Sequence, residues 1–309
     1  MQYKTIVTDE NLLEQIQYPA CGLPVFFCQD HLDDFLNGEI GYHWHDDLEF
    51  GYVLQGEAEC QIHREQTTQN GIILKPGDGL FVNSKSLHRI RQRSPGTILL
   101  NFVIPANLFA LLPMREAYRK NILPVTRSPI AGFCLLSENA KDTELLNLIK
   151  EFLNLPPGET GYELHCIELL CRLWRQLLIR ILQTEQPIPV SKTERLQEER
   201  LRLMLSYIHA NYSDNITADT LAQAAGISRS ECFRCFRAVI GMSPSDYLCQ
   251  YRLSQAARLL SDTDMELSDI CYSCGFRSTS YFGKVFRENC GVSPGRYRES
   301  ARKTAGSGA

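Results

Sequence analysis

Residues 216–297 repeat internally, and that repeat restricts the fold more than any single motif does. Read against itself at an offset of about 50 residues, the stretch pairs Ser228 with Ser278, Arg234 with Lys284, Phe236 with Phe286 and Arg237 with Arg287. Gly241-Met242-Ser243-Pro244 through Tyr247 matches Gly291-Val292-Ser293-Pro294 through Tyr297. Upstream the offset is one shorter: Leu221, Ala222, Ala225 and Gly226 match Ile270, Cys271, Cys274 and Gly275. Two copies of one supersecondary design imply one task done twice.

Each copy reads as helix, glycine turn, helix. A short apolar helix over Leu221–Ala225 ends at Gly226, which tolerates the positive φ of a helix C-terminus. Ser228 with Glu231 three residues on is a capping-box pattern, which predicts that the Glu231 side chain returns to the cap. In the second copy Gly275 ends the first helix and Ser278 caps a helix running to Asn289. Short helix, tight turn and a second helix with exposed Arg or Lys is the plan by which a helix enters the DNA major groove. Phe236, Phe282, Phe286, Tyr247 and Tyr297 recur at matched positions and read as core.

Gly275-Phe276-x-Ser278-x-x-Tyr281-Phe282-x-x-x-Phe286, followed by Gly291-x-Ser293-Pro294-x-x-Tyr297-Arg298, resembles the signature of the AraC/XylS transcription regulators over roughly residues 200–300. The resemblance implies base contacts from Ser230, Phe233 and Arg234 in the first recognition helix. In the second it implies Thr279, Ser280, Gly283 and Lys284. Arg234 suits a bidentate contact to guanine, Lys284 offers a point charge, and Gly283 offers no side chain. Arg229, Arg237, Arg277 and Arg287 fit phosphate contacts, the alternative for each being a solvated surface charge.

The formal net charge of −4 is unusual for a DNA-binding chain until it is divided. Residues 195–303 carry roughly 15 basic and 12 acidic side chains, and residues 1–194 roughly 17 and 24. A mildly basic reader is thus joined to an acidic partner domain. The 12 cysteines are scattered through apparent core positions of a 309-residue chain, which favours reduced thiols in the cytoplasm over a disulfide scaffold. Cys232-x-x-Cys235 and Cys271-x-x-Cys274 invite a zinc reading, but i, i+3 cysteines in helices share one face and fit the core better. No signal peptide, transmembrane run or targeting motif appears.

Residues 1–40 read as an arm and a first strand. From Tyr42 to Ile104 short β-type runs alternate with turns, as in a small antiparallel barrel or jelly roll. From Asp142 the period becomes helical. Leu145, Leu146, Leu148, Ile149 and Phe152 mark one helix; Leu164, Ile167, Leu170, Cys171, Trp174, Leu177, Leu178 and Ile181 mark a longer one. The latter is wide enough to cover the barrel and also pair protomers, a role the family resemblance implies. Gln186-Pro187-Ile188-Pro189-Val190-Ser191 reads as a linker.

His43-Trp44-His45-x-x-x-Glu49, with Gly56 after six further residues, resembles the first cupin motif; Gly77-Asp78 with His88 resembles the second. The second departs from the pattern: Asn83 and Lys85 stand where Pro and Gly are usual, and Gln92 where Asn is. Strand alternation turns His43 and His45 inward, where Glu49 and His88 can join them. Three imidazoles and a carboxylate suit a divalent transition metal such as Mn, Fe, Ni or Zn. The same residues can instead hydrogen-bond an organic effector, such as a sugar, or serve only as pocket wall. Trp44, Phe50 and Tyr52 offer either a stacking face or an outer side packed on helices.

The expected architecture is α+β: a cupin-like β-barrel with packing helices, then an all-α domain of two helix-turn-helix units. Its expected divisions are a sensing and dimerisation domain at 1–185 (barrel about 20–105, helices about 142–184), a linker at 186–194, the DNA-binding domain at 195–303 and a disordered tail at 304–309. The function this implies is a non-enzymatic, ligand-responsive, sequence-specific regulator, an activator by family resemblance. Its partners would be double-stranded DNA, a small-molecule effector, a second copy of the chain and, for an activator, RNA polymerase, with no membrane. The rivals are a cupin metalloenzyme or metal sensor carrying a DNA-binding module, and an effector-independent architectural DNA binder.

Overall fold

The computed structural model describes residues 4, 6, 8, 9, 12–19, 22–62, 71–110, 114–128, 130–183 and 192–306. By contacts the chain divides into two compact units. One comprises residues 13–32 and 40–191, the other 1–12, 33–39 and 192–309.

Among the described residues, the first unit is built on nine strands: β1 (Phe26–His31), β2 (Glu39–His43), β3 (Leu48–Gln55), β4 (Ala58–Ile62), β5 (Ile72–Leu74), β6 (Gly79–Val82), β7 (His88–Gln92), β8 (Ile98–Ile104) and β9 (Gly132–Leu135). They form a five-stranded sheet, β1-β8-β3-β6-β9, and a four-stranded sheet, β2-β7-β4-β5. All the registered pairings are antiparallel, with Phe50 opposite both Phe81 and Phe102. Strand β9 lies beyond the run of strands read from the sequence. It extends the larger sheet by pairing with β6, Gly132 opposite Val82. Gly132 sits at φ 150°, and a Cβ there would meet the Phe81 carbonyl at 2.2 Å, so only glycine admits this pairing.

Short helical turns follow the strands at α1 (Arg115–Ala117), a π-helical turn at Tyr118–Ile122 and α2 (Leu123–Thr126). Two longer helices then cover the larger sheet, α3 (Thr143–Leu153) and α4 (Tyr162–Leu182). Phe50, fully buried, stacks on Phe102 at 5.1 Å between ring centroids, and Phe102 meets Phe152 of α3 at 4.5 Å. Phe50 and the half-buried Tyr52 therefore belong to the side that packs on helices. Alternation then sends Glu49 to the opposite face, into the barrel. Of the apolar residues read on α4, Leu170, Trp174 and Leu177 are buried, whereas Leu164 and Ile167 are exposed. Leu182, at its end, is also exposed.

Among the described residues, the second unit holds the α-helices α5 (Lys192–Asn211), α6 (Ala218–Ala224), α7 (Arg229–Val239), α8 (Pro244–Asp262), α9 (Leu267–Ser273), α10 (Thr279–Cys290) and α11 (Pro294–Gly306). The proline-rich linker at 186–191 lies outside the described residues, while Lys192–Glu194, read as its end, are already helical. Helix α11 likewise continues through Gly306, past the point where a tail was expected. Ala301, Arg302 and Lys303 are good helix formers and sustain it. Residues 307–309 lie outside the described ones. Among the described residues, no helix is long and apolar enough to cross a membrane.

Candidate functional sites: a buried histidine–carboxylate cluster and two exposed helices

His43 ends β2, His45 follows it, Glu49 lies on β3 and His88 starts β7, so the cluster joins the two sheets across the barrel interior. All four side chains are buried, and one ligand atom from each lies within 4.8 Å of all the others. Among the described residues this is the one group of His, Cys, Asp and Glu arranged to hold a metal ion.

The backbone fixes the imidazoles. His43 Nδ1 lies 2.9 Å from the Gly41 carbonyl, His45 Nδ1 3.0 Å from that of Asp47, and His88 Nδ1 2.9 Å from that of Ser86. A carbonyl can only accept, so each Nδ1 must carry the proton, and in the neutral ring Nε2 is a bare lone pair. Two of those Nε2 atoms face Glu49. His45 Nε2 is 3.2 Å from Glu49 Oε2 and His88 Nε2 is 3.0 Å from it. The His88 contact is too poorly aligned for a hydrogen bond.

Burial pushes the Glu49 carboxyl up, but His45 and His88 outweigh it and hold the group well below the usual carboxylate range. His45 is raised: burial lowers it, and Glu49 more than compensates. His43 is lowered, by burial first and then by His88. With no cation, lone pairs would confront a carboxylate unless His45 takes a proton. A divalent cation satisfies all four groups at once, and histidines whose other nitrogen is tied to a carbonyl are the usual donors for one. The donor set fits a metal.

Two of the three departures from the second cupin motif, at Asn83 and Lys85, have structural roles. Lys85 adopts φ 62° where glycine is usual, and its N–H donates to the His45 carbonyl at 2.7 Å. Asn83 Nδ2 donates to the carbonyls of Val125 and Ile130 at 2.9 and 2.7 Å, tying down the segment before β9. Asp78 accepts from Lys75 N and from Ser137 N and Oγ, so it fastens its turn and takes no part in the cluster. Sequence reasoning missed Glu14, whose Oε2 is 3.6 Å from His43 Nε2. Burial, then the Glu49 charge, pushes its carboxyl up to about 7.

In the second unit, Thr217 and Thr220 form a reciprocal capping box that starts α6. Gly226 turns the chain at φ 63°, and Ser228 accepts from Glu231 N to start α7. The copy follows suit: Gly275 at φ 77°, Ser278 accepting from Tyr281 N, then α10. Arg229, Ser230, Arg234 and Arg237 are exposed on α7, with Phe233 half-buried. Arg277, Thr279, Ser280, Lys284 and Arg287 are exposed at and along α10, and Gly283 is half-buried with open space where a Cβ would stand. Phe236, Phe282, Phe286 and Tyr297 are buried, and Phe286 packs on Phe282 and Tyr297. The four paired cysteines, Cys232, Cys235, Cys271 and Cys274, are fully buried in this unit.

One expectation fails here. The Glu231 side chain does not return to its cap; it pairs with Arg200 of α5 at 3.3 Å and with Arg234 one turn on. Two guanidinium groups offer charge-assisted bonds that a neutral backbone N–H cannot match. Its side chain is accordingly only 13% exposed.

A double-sheet barrel with a histidine–carboxylate centre, joined to two helix-turn-helix units, defines a transcription regulator with a cupin-type domain. Residues 221–300 match a helix-turn-helix domain family and residues 36–104 a cupin domain family. The chain is 30% identical over 300 residues to an uncharacterized HTH-type transcriptional regulator, YdeC, of Bacillus subtilis, covering 96% of this chain and 99% of that one. It is 24% identical to the melibiose operon regulatory protein of Escherichia coli, over 84% of each chain. A solved AraC-type regulator from Chromobacterium violaceum is 29% identical, covering 34% of this chain and 93% of that one, with a TM-score of 0.33. The chain belongs to the AraC family of transcription regulators.

Proposed function

We propose that this regulator is ligand-responsive, and that His43, His45, Glu49 and His88 form its sensor site by holding a divalent transition metal. The observation that carries this is the pinning of all three Nδ1 atoms to carbonyls, which leaves three Nε2 lone pairs free beside one carboxylate in a group whose ligand atoms lie within 4.8 Å of one another. The metal would supply a Lewis-acidic anchor for an effector's oxygen atoms. A sugar or small acid fits that chemistry, and the melibiose regulator's name favours the sugar.

DNA is read by α7 and α10, with Ser230, Phe233, Arg234, Thr279, Ser280, Gly283 and Lys284 toward bases and Arg229, Arg237, Arg277 and Arg287 toward phosphates. The protein acts in the cytoplasm as a homodimer. The apolar stripe Leu164, Ile167 and Leu182 left exposed on α4 supports pairing there. Effector binding changes how the sensor's helices and N-terminal arm pack, provided the effector distinguishes the two arrangements. Activation, with RNA polymerase as partner, follows the family. The site is sensory and not catalytic, because the relatives matching most of the chain are named as regulators.

The test is metal content by mass spectrometry, on protein purified without chelator or affinity metal and on His43→Ala/His45→Ala. About one transition metal per chain, lost in the variant, supports the sensor site. No metal in either protein removes it.

A further inference from the structure

The four-residue cluster leaves Glu14 unexplained. Its N–H donates to the Trp44 carbonyl at 2.8 Å, and Leu13 forms a parallel bridge with Trp44. Trp44 stands between His43 and His45, so the backbone before Glu14 is in register with the stretch that carries two of the histidines. The Glu14 side chain is only 18% exposed, and its Oε2 stands 3.6 Å from His43 Nε2. The His43 Nδ1 carries the ring proton, so its Nε2 lone pair faces the Glu14 carboxyl at a separation too long for a hydrogen bond. Among the described residues, no donor bonds the Glu14 carboxylate.

Glu14 touches the cluster at His43 but stands outside the 4.8 Å grouping of the other four ligand atoms. We propose that a bound metal draws Glu14 in as a fifth protein ligand, supplied by the N-terminal segment, so that the site is three histidines and two carboxylates. This rests on the metal reading above and deepens it. Zinc sites keep three or four protein ligands in tetrahedral geometry, whereas three nitrogens and two carboxylate oxygens suit octahedral Mn, Fe, Co or Ni with one position open. Two carboxylates also neutralise a divalent cation in a buried site, which favours its retention.

The experiment is calorimetric titration of the metal-free full chain with Mn(II) and Co(II), together with the visible spectrum of the Co(II) form. Wild type is compared with Glu14→Gln, which keeps the side chain's size, and with Gln15→Ala, an exposed neighbour on the same segment. The expected result is a loss of affinity of about tenfold or more in Glu14→Gln alone, with stronger Co(II) absorption as the ligand number falls. Equal affinity and spectrum in wild type and Glu14→Gln overturn the assignment and leave the four-residue site standing. An equal loss in Gln15→Ala overturns it in favour of a general effect of the segment. No binding by wild type overturns both this assignment and the metal reading beneath it.

Discussion

His88 points Nε2 at Glu49 Oε2 from 3.0 Å while the Ser86 carbonyl, 2.9 Å from Nδ1, holds the ring's proton on the other side. The pair is poised for a cation. A divalent metal that binds only the folded barrel stabilises it by about 2.7 kcal/mol at a hundredfold excess over Kd. Thermal unfolding should therefore shift upward with Mn(II) or Co(II) and return with chelator. Glu49→Ala should abolish the shift.

Arg234 is 68% exposed on α7 and paired with Glu231. Arg234→Ala should cost about 1–3 kcal/mol at the preferred DNA site and relax preference at one base position. Arg287→Ala should weaken all sequences alike and reduce the salt slope by about 1. Binding titrations across salt concentrations and a randomised site library separate the two behaviours.

His209 is stacked on Tyr251 at 3.9 Å between ring centroids, its Nε2 3.0 Å from Tyr247 Oη, and burial lowers it to about 3. The unfolded chain takes up this proton near pH 6.5 and the folded chain does not. Stability from this group is thus full above about 6.5 and is lost as pH falls toward about 3, with a slope near 1.4 kcal/mol per pH unit. Unfolding curves of wild type and His209→Gln should converge as pH falls through that window.

Gly226 and Gly275 occupy matched turns but should not tolerate alanine equally. Both have positive φ, which costs alanine about 1–2 kcal/mol. At Gly226 a Cβ meets nothing within 4 Å; at Gly275 it meets Ser213 O at 2.7 Å and Tyr212 O and Arg252 Nη2 at 2.8 Å. Gly275→Ala should be clearly the more destabilising in denaturant unfolding.

The second unit was largely legible in the sequence because its turns and caps are local. Gly226, Gly275, Ser228 and Ser278 do their work within a few residues, and a repeated spacing marks them twice. The His-x-His-x-x-x-Glu run was legible for the same reason. What escaped depends on residues far apart in the chain. Strand β9 is four residues long, and only pairing with β6 makes it a strand. Glu14 lies in a stretch with no periodicity and reaches the cluster through a bridge to Trp44. Glu231 obeys the capping pattern by spacing, but Arg200, 31 positions away, claims it. Residues 33–39 belong by contact to the second unit, although 33–38 lie between β1 and β2 and Glu39 opens β2.

The most direct measurement of regulation through the site is DNA affinity of metal-loaded and metal-stripped protein for a site selected from random sequence, with His43→Ala/His45→Ala alongside. A sensor predicts that loading shifts affinity or the preferred half-site spacing in wild type by about fivefold or more and does nothing to the variant. Superimposable curves for loaded and stripped wild type, with metal shown to be bound, would contradict it.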